Sequence, residues 1–499
     1  DLREAALALS GLTLREEVFA ADETEATSVP YTVNEHRYQL RQLQPPASQL
    51  VLPLESKTYR YERERTDPAC QHTINLRRDH YGALVHGLII DYARRSSPTD
   101  LPPFTETHQQ NWWRDTHDPA QQAYYISEVL AQPIHLDGNQ RWRLNLPYRQ
   151  RSNALVMEKD SLDSAHISYE HLISSGPGNP LDLHVPRTLA SMTVQYYILA
   201  MSDSALAQGQ ASFEALPAYR ECAELDATAL SAYDDLPTLA GAPPFDLTRT
   251  LRQEHYHLMS VFLPTPGADD TQSGALTPLW SLKQGFARYG SEQNFYRSTL
   301  LHPSESHSFT ALTYDSYHCH IASVTSVDGC QTQAVYDYRL LLPIKIIDPQ
   351  GSIQQALYDA FGQLQATSIY GHERGKPTGF APLTQYRRPA DDSPPAAIQA
   401  PEAALLNAAS ACFYSPFSWM GQIPASPQRA QWIAEGYLTP EGHIRASGRT
   451  RVATLDLMQP DNRLFSEQIR LARREPVYSA VLQADTYTTS DPDITRHIH

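Results

Sequence analysis

The sequence predicts a mainly β fold, strips of antiparallel sheet with a few short helices, on three observations. Short runs rich in β-branched and aromatic residues alternate with period two, as in 58–63 (TYRYER), 72–76 (HTINL) and 84–92 (LVHGLIIDY). Turn residues punctuate them: Asp79, Tyr81 and Gly82 stand between the last two runs and predict a hairpin. A dipeptide also recurs. Tyr314-Asp315, Tyr336-Asp337 and Tyr358-Asp359 lie 22 residues apart, and Gly329 and Gly351 each follow their tyrosine by fifteen.

In chain order, residues 1–10 (DLREAALALS) read as a short helix stopped by Gly11. Residues 100–150, with Trp112, Trp113 and Trp142 among Pro, Asn and Gly, read as strands with long loops. Around 205–235 the pattern turns partly helical, with Asp226 placed to cap ATALSAYDD. The stretch 236–275 is dense in Pro and Gly and reads as loop. Residues 381–401, with five prolines from Pro382 to Pro401, read as a linker or exposed insertion. Two short helices follow, one starting at Pro401 and one capped by Ser426 and ended by Gly436. From 443 onward the pattern is again strand-like.

A 22-residue period holds two strands of seven or eight residues and two turns. Stacking equivalent residues across a ladder would lay each tyrosine ring on its counterpart, its hydroxyl reaching water. The glycine supplies the backbone conformation of a tight turn. Such a hairpin cannot bury its own face and needs neighbours on both sides, which makes it a solenoid-like or shell-like element.

Composition narrows the function. With 40 basic against 56 acidic side chains the chain carries a net charge of −16, which argues against nucleic-acid or anionic-membrane partners. No apolar run reaches the roughly 18 to 20 residues of a spanning helix. Five cysteines form no disulfide framework, and reduced thiols are expected. Because the chain starts at Asp1 and stops within a strand-like alternation, an excised portion of a longer polypeptide is expected.

The segment Asp348-Pro349-Gln350-Gly351, then Tyr358-Asp359-Ala360-Phe361-Gly362-Gln363-Leu364, resembles the Rhs/YD repeat, a DPxG turn followed by YDxxGxL. Asp79-His80-Tyr81-Gly82 echoes its second half. Residues 1–95 resemble the region after the propeller in the B component of bacterial insecticidal toxin complexes, through LREAALALSGLTLREEVFA, PYTVNEHRYQLRQLQP and INLRRDHYGALVHGLIIDYARR. The resemblance implies Rhs/YD-repeat strips curling into part of a hollow shell. It divides the chain into a B-component-like region opening the shell (1–150), an irregular β-rich segment with helical insertions (151–310) and the YD-repeat strips (311–380). A Pro-rich linker with short helices (381–442) and further β strips (443–499) complete it. The implied function is structural and not enzymatic: with an Rhs-containing C component the segment encapsulates that component's toxin. The pore-forming A component is reached only through an upstream propeller, and the complex is assembled in the cytoplasm and then secreted. A YD-repeat adhesin or carbohydrate-binding β-protein is the alternative.

The expected structural residues are Asp79, Tyr81, Gly82, Tyr314, Asp315, Gly329, Tyr336, Asp337, Asp348, Pro349, Gly351, Tyr358, Asp359 and Gly362; no catalytic residue, cofactor or metal is expected. Half the chain in strands would cover roughly 4,000 Å², a sphere too small for a folded domain of about 100 residues, so enclosure requires a partner. Other motifs read as ordinary surface. Gly371-His372-Glu373-Arg374-Gly375-Lys376-Pro377 has too few residues between its glycines for a phosphate loop. His318 and His320 would face away from Cys319 on a strand, which disfavours zinc. His255 and His257 lack a thiol or carboxylate pair, Ser174 and Ser175 lack the elbow glycine, and Asp234-Asp235 and Asp269-Asp270 lie in loop-like stretches. Trp112-Trp113 read as packing between layers.

Overall fold

Period-two alternation becomes long antiparallel strands in the computed structural model of the chain. It describes residues 2–485 except 45–47, 62, 64, 97–99, 103, 139–140, 163–166, 174–186, 234–244, 260–278, 306, 453 and 473–475. The serine pair and both acid pairs lie outside the described residues. The chain divides into two units, residues 1–309 and 310–499.

The first unit opens with Arg15–Val18 (β1), Thr32–Gln44 (β2), Ser48–Arg60 (β3), Ala69–Arg78 (β4), Leu84–Asp91 (β5) and Ala123–Gly138 (β6). Arg141–Glu158 (β7), Thr188–Ile198 (β8), Leu216–Leu225 (β9), His257–Met259 (β10), Leu279–Tyr289 (β11) and Ser298–Ser304 (β12) follow. Each strand from β1 to β9 pairs antiparallel with the next. β9 then pairs with β11, and β10 and β12 lie end to end along the other side of β11. The sheet is open and not closed into a barrel.

One face of this sheet is buried. Along β6, Tyr124, Ile126, Glu128 and Leu130 point inward while Tyr125 and Ser127 point out. Ile74, Leu88, Ile90, Ile126 and Leu155 pack under Ile167 and Leu172, the latter on Tyr169–Leu172, a short helix. The expected helices at Leu2–Ala8 and Ala227–Ser231 are present, and Asp226 accepts the Ala229 N–H at 2.8 Å. The tryptophan pair differs from expectation. Thr107–Asp115 is a helix, Trp112 is exposed, and the Trp113 ring lies 3.9 Å from His117 rather than between layers. Its sequence, THQQNWWRD, has no period-two alternation to hold a strand.

The second unit begins with six strands, Thr310–Tyr314 (β13), Ile321–Thr325 (β14), Gln331–Asp337 (β15), Leu342–Ile347 (β16), Ile353–Tyr358 (β17) and Leu364–Glu373 (β18). Each pairs antiparallel with the next. The far side of β18 carries Lys376–Gly379 (β19) and Ser410–Ser415 (β20), and β20 pairs with Tyr478–Gln483 (β21).

Two regions of this unit differ from the sequence reading. The proline-rich stretch is packed rather than a linker: Leu383, Tyr386, Ala397 and Leu405 are buried with Phe413 and Leu482. Three of its five prolines sit in first helical turns, at Pro394–Gln399 capped by Ser393 and at Pro401–Leu405, where a missing N–H costs nothing. Residues 443–499 hold one described strand, β21, after the helices Ala446–Val452 and Pro460–Leu471. Leu464, Phe465 and Ile469 recur at helical spacing and close a small core with Ile423, Trp432, Leu438 and Ile444. No helix among the described residues is long and apolar enough to cross a membrane.

Candidate functional site

The residues singled out by the repeat converge on one turn design. At Asp348–Ser352 and Asp359–Gln363 the aspartate N–H donates to the carbonyl four residues on, at 2.9 Å in both, and the glycine N–H donates back to the aspartate carbonyl. The same aspartate uses Oδ1 to accept two further backbone N–H groups, those of Gln350 and Ser352 or of Phe361 and Gln363. Asp79 does likewise with Tyr81 and Ala83. Gly82, Gly351 and Gly362 occupy φ of +90°, +85° and +83°, a left-handed conformation that side chains resist. This is a three-residue hairpin loop with a glycine bulge, its aspartate satisfying N–H groups left over by the turn. Pro349 takes the second turn position, where its fixed φ fits.

The other turns are variants. Gly329 has φ +81° in a loop where Ser326 replaces the leading aspartate and Asp328 accepts from Cys330 N–H. Asp315 accepts from Tyr317, Cys319 and His320 N–H groups, and Asp337 from Arg339.

The tyrosines do not stack on one another as the period suggested. Each repeat holds two strands, so Tyr314, Tyr336 and Tyr358 stand at or one residue before the ends of β13, β15 and β17 with a strand between, about 10 Å apart. Two of the hydroxyls are bonded within the sheet. Tyr336 donates to the Ile321 carbonyl at 3.1 Å and Tyr358 to the Pro343 carbonyl at 3.2 Å, each fifteen residues upstream. The Tyr336 ring lies on His320, with centroids 4.3 Å apart and planes 14° apart. The hydroxyl staples the strand end to its neighbour's backbone.

From Thr310 to Gln365 the only buried residue is Ser323. Most strand residues of this strip are partly covered and, Ser323 apart, none is fully buried, so it is a sheet layer without a buried core of its own. The first unit supplies the contrast. Its buried face carries carboxylates on β3, β6 and β9: Glu55, Glu128 and Glu221. Glu55, Ile74, Leu88, Glu128 and Asn153 lie directly opposite one another across five strands.

Each carboxylate is saturated. Glu128 accepts from His86 Nε2 at 3.0 Å, Asn153 Nδ2 at 2.8 Å and Arg187 Nε at 2.8 Å. Burial raises its carboxyl group's pKa, but these three partners outweigh that and hold it down at about 2. Glu55 accepts from Arg37 at 2.9 Å and from the Tyr169 N–H, and Arg37 also pairs with Glu170. Burial again works against ionisation of Glu55, and His72, Tyr169 and Arg37 prevail. Glu221 accepts from Ser281 Oγ at 2.7 Å and Tyr196 OH at 3.0 Å. Glu55 and Glu128 tie segments outside the strands, at Tyr169 and Arg187, to the sheet, and Glu221 ties β8 and β11 together. They were missed in the sequence, although Glu128 stands in register with Tyr124, Ile126 and Leu130, and a charge at an inward position was the available signal.

The arrangement offers structural chemistry. His135 Nδ1 accepts the Asn145 N–H and its Nε2 therefore donates to Asp79 at 2.7 Å, so neither nitrogen is left for proton transfer. The glycine-lysine stretch lies on the hairpin of β18 and β19, and His257 pairs with Glu305. No group of three potential metal ligands occurs among the described residues. All five cysteines are free; Cys319 and Cys330 flank the two ends of β14, which spans about 17 Å and keeps them apart.

Residues 4–146 match the family model for the insecticide toxin TcdB middle/C-terminal region. The comparison with curated proteins finds no match. Among solved structures, TcdB2-TccC3 without its hypervariable C-terminal region matches over 98% of this chain at 25% identity and a TM-score of 0.79. A Photorhabdus luminescens Tc holotoxin pore carrying a mutated TccC3 matches over 98% at 25% identity and a TM-score of 0.78. TcdB2-TccC3-Cdc42 matches at 24% identity and 0.79. In each case the match covers 22% of the other chain, so this chain spans about a fifth of their length. Residues 4–146 thus match the TcdB middle/C-terminal region, in a chain whose fold is that of the TcdB2-TccC3 structures.

Proposed function

We propose that this chain is a wall segment of a bacterial toxin-complex shell which, with a TccC-type partner, encloses that partner's cytotoxic portion. The observation that carries this reading is the strip of 310–365, a sheet layer without a buried core in which each strand from β14 to β17 is paired on both sides along the ribbon. Sheet of this kind separates two spaces and leaves side chains facing both. The likeness to TcdB2 solved together with TccC3 supports the choice of partner. In this reading the chain performs no catalysis, holds no cofactor or metal, and works outside the producing cell after secretion of the assembled complex. The Tyr-Asp turns act as edge fasteners of the ribbon.

Co-expression with a TccC-type partner followed by protease treatment tests it. The partner's C-terminal portion is expected to co-purify and resist digestion that destroys it when free. Failure to co-purify, or digestion at the free rate, overturns the proposal.

A further inference from the structure

The hairpin end of β6 and β7 carries an aromatic corner that the wall does not need. Asp137 and Trp142 are directly opposed across the two strands, about 5 Å apart at Cβ. The Trp142 ring is 66% exposed. Tyr81, from the Asp79 turn, stands edge-on to it, with centroids 6.1 Å apart and planes at 70°. The Tyr81 hydroxyl donates to Asp137 Oδ2 at 2.5 Å, which fixes the carboxylate of an exposed residue. His80 packs against Tyr81 at 3.7 Å and is itself exposed, its imidazole without a hydrogen-bond partner among the described residues.

We infer that Trp142, Asp137, Tyr81 and His80 form a binding site for a neutral saccharide. A pyranose presents an apolar face of C–H groups and a rim of hydroxyls, and this corner presents their complement. The indole offers an exposed flat surface whose apolar area is lost from water on stacking. Asp137 Oδ1 accepts from one hydroxyl, and the His80 imidazole donates to or accepts from another. The carboxylate needs no reorganisation, because Tyr81 already orients it. His135, locked between Asp79 and the Asn145 N–H, backs the Tyr81 ring at 4.5 Å and holds the corner in shape.

An aromatic corner with a carboxylate also suits a cation. Here Arg41 stands against that reading: its guanidinium donates to the Asp79 and His80 carbonyls at 2.6 and 3.2 Å, placing positive charge beneath the patch. The uncharged ligand is favoured. The site is independent of the shell reading, since a wall that binds no sugar is still a wall and a sugar site needs no enclosed cargo.

The test is a titration of the whole chain with hexasaccharides of glucose, galactose and N-acetylglucosamine, followed by saturation-transfer NMR and calorimetry. At least one is expected to bind with a Kd of about 1 mM or tighter. Trp142→Ala should weaken it at least tenfold and Asp137→Asn severalfold, with the unfolding midpoint unchanged. Trp112→Ala, at another exposed indole, should leave binding intact. Absence of binding by all three sugars at about 10 mM, or binding that survives Trp142→Ala, overturns the inference. So does displacement of the sugar by a trilysine peptide at lower concentration, which would assign the corner to cations.

Discussion

Replacing Glu128 by Gln tests whether the buried carboxylates clamp the covered face. The side chain is 2% exposed and accepts from three donors. Its carboxyl group titrates at about 2 instead of 4.5. That depression corresponds to about 3 kcal/mol of stability at neutral pH. The amide preserves shape but not charge, and it turns an N–H₂ toward one of the donors. Because the folded-state value is the lower one, the contribution is complete above about pH 4.5 and fades as pH falls toward 2. Amide exchange of β6 and β7, compared between the two proteins at each pH, reads this locally. Glu128→Gln should accelerate exchange about 100-fold at pH 7 and only about tenfold at pH 3. A ratio under fivefold at pH 7, or one that does not shrink on acidification, would refute the clamp.

Other outcomes follow from the turns and thiols. Gly351→Ala meets open space and suffers only its φ of +85°, so it should cost about 1 kcal/mol in urea unfolding. Gly379→Ala combines φ of +96° with a Cβ 2.4 Å from the Ile369 carbonyl, and should cost clearly more than Gly351→Ala. Asp348→Ala strands the N–H groups of Gln350 and Ser352 and should lower the unfolding free energy by about 1–2 kcal/mol, whereas Asp348→Asn, which keeps an acceptor, should lose less. Among the thiols, Cys319 should react first with a disulfide reagent at pH 8, and the buried Cys412 only on unfolding. Cys330 should lag behind Cys319, since its hydrogen bond to Asp328 and that group's charge raise its pKa; equal rates would contradict this.

Local chemistry explains what the sequence made legible. Asp79-x-x-Gly82, Asp348-x-x-Gly351 and Asp359-x-x-Gly362 each encode their turn within five residues, because the acceptor, the left-handed position and the closing bond are all local. The strands of 310–373 were readable for the same reason. Tyrosine contacts were not. A period of 22 says that equivalents repeat, but the intervening strand decides how far apart they stand, and the carbonyls of Ile321 and Pro343 sit nearer than the next ring. The helix at Pro460–Leu471 was hidden because Phe465 finds its partners on Trp432 and Tyr437, some thirty residues upstream. Glu128 and Glu55 look like surface charges until Arg187, Arg37 and the Tyr169 backbone are brought over them. The aromatic corner likewise depends on Tyr81 meeting Trp142 across 61 residues of chain.

Within the ribbon of β13 to β18, each strand from β14 on pairs with the one made just before it. No contact in that ladder waits for a distant part of the chain, so the entropy of closing each new loop is small. Growth therefore matches the direction of synthesis: a hairpin emerging from the ribosome finds its docking edge already laid down. On the shell reading proposed above, such a wall can advance rung by rung without a late, all-at-once collapse.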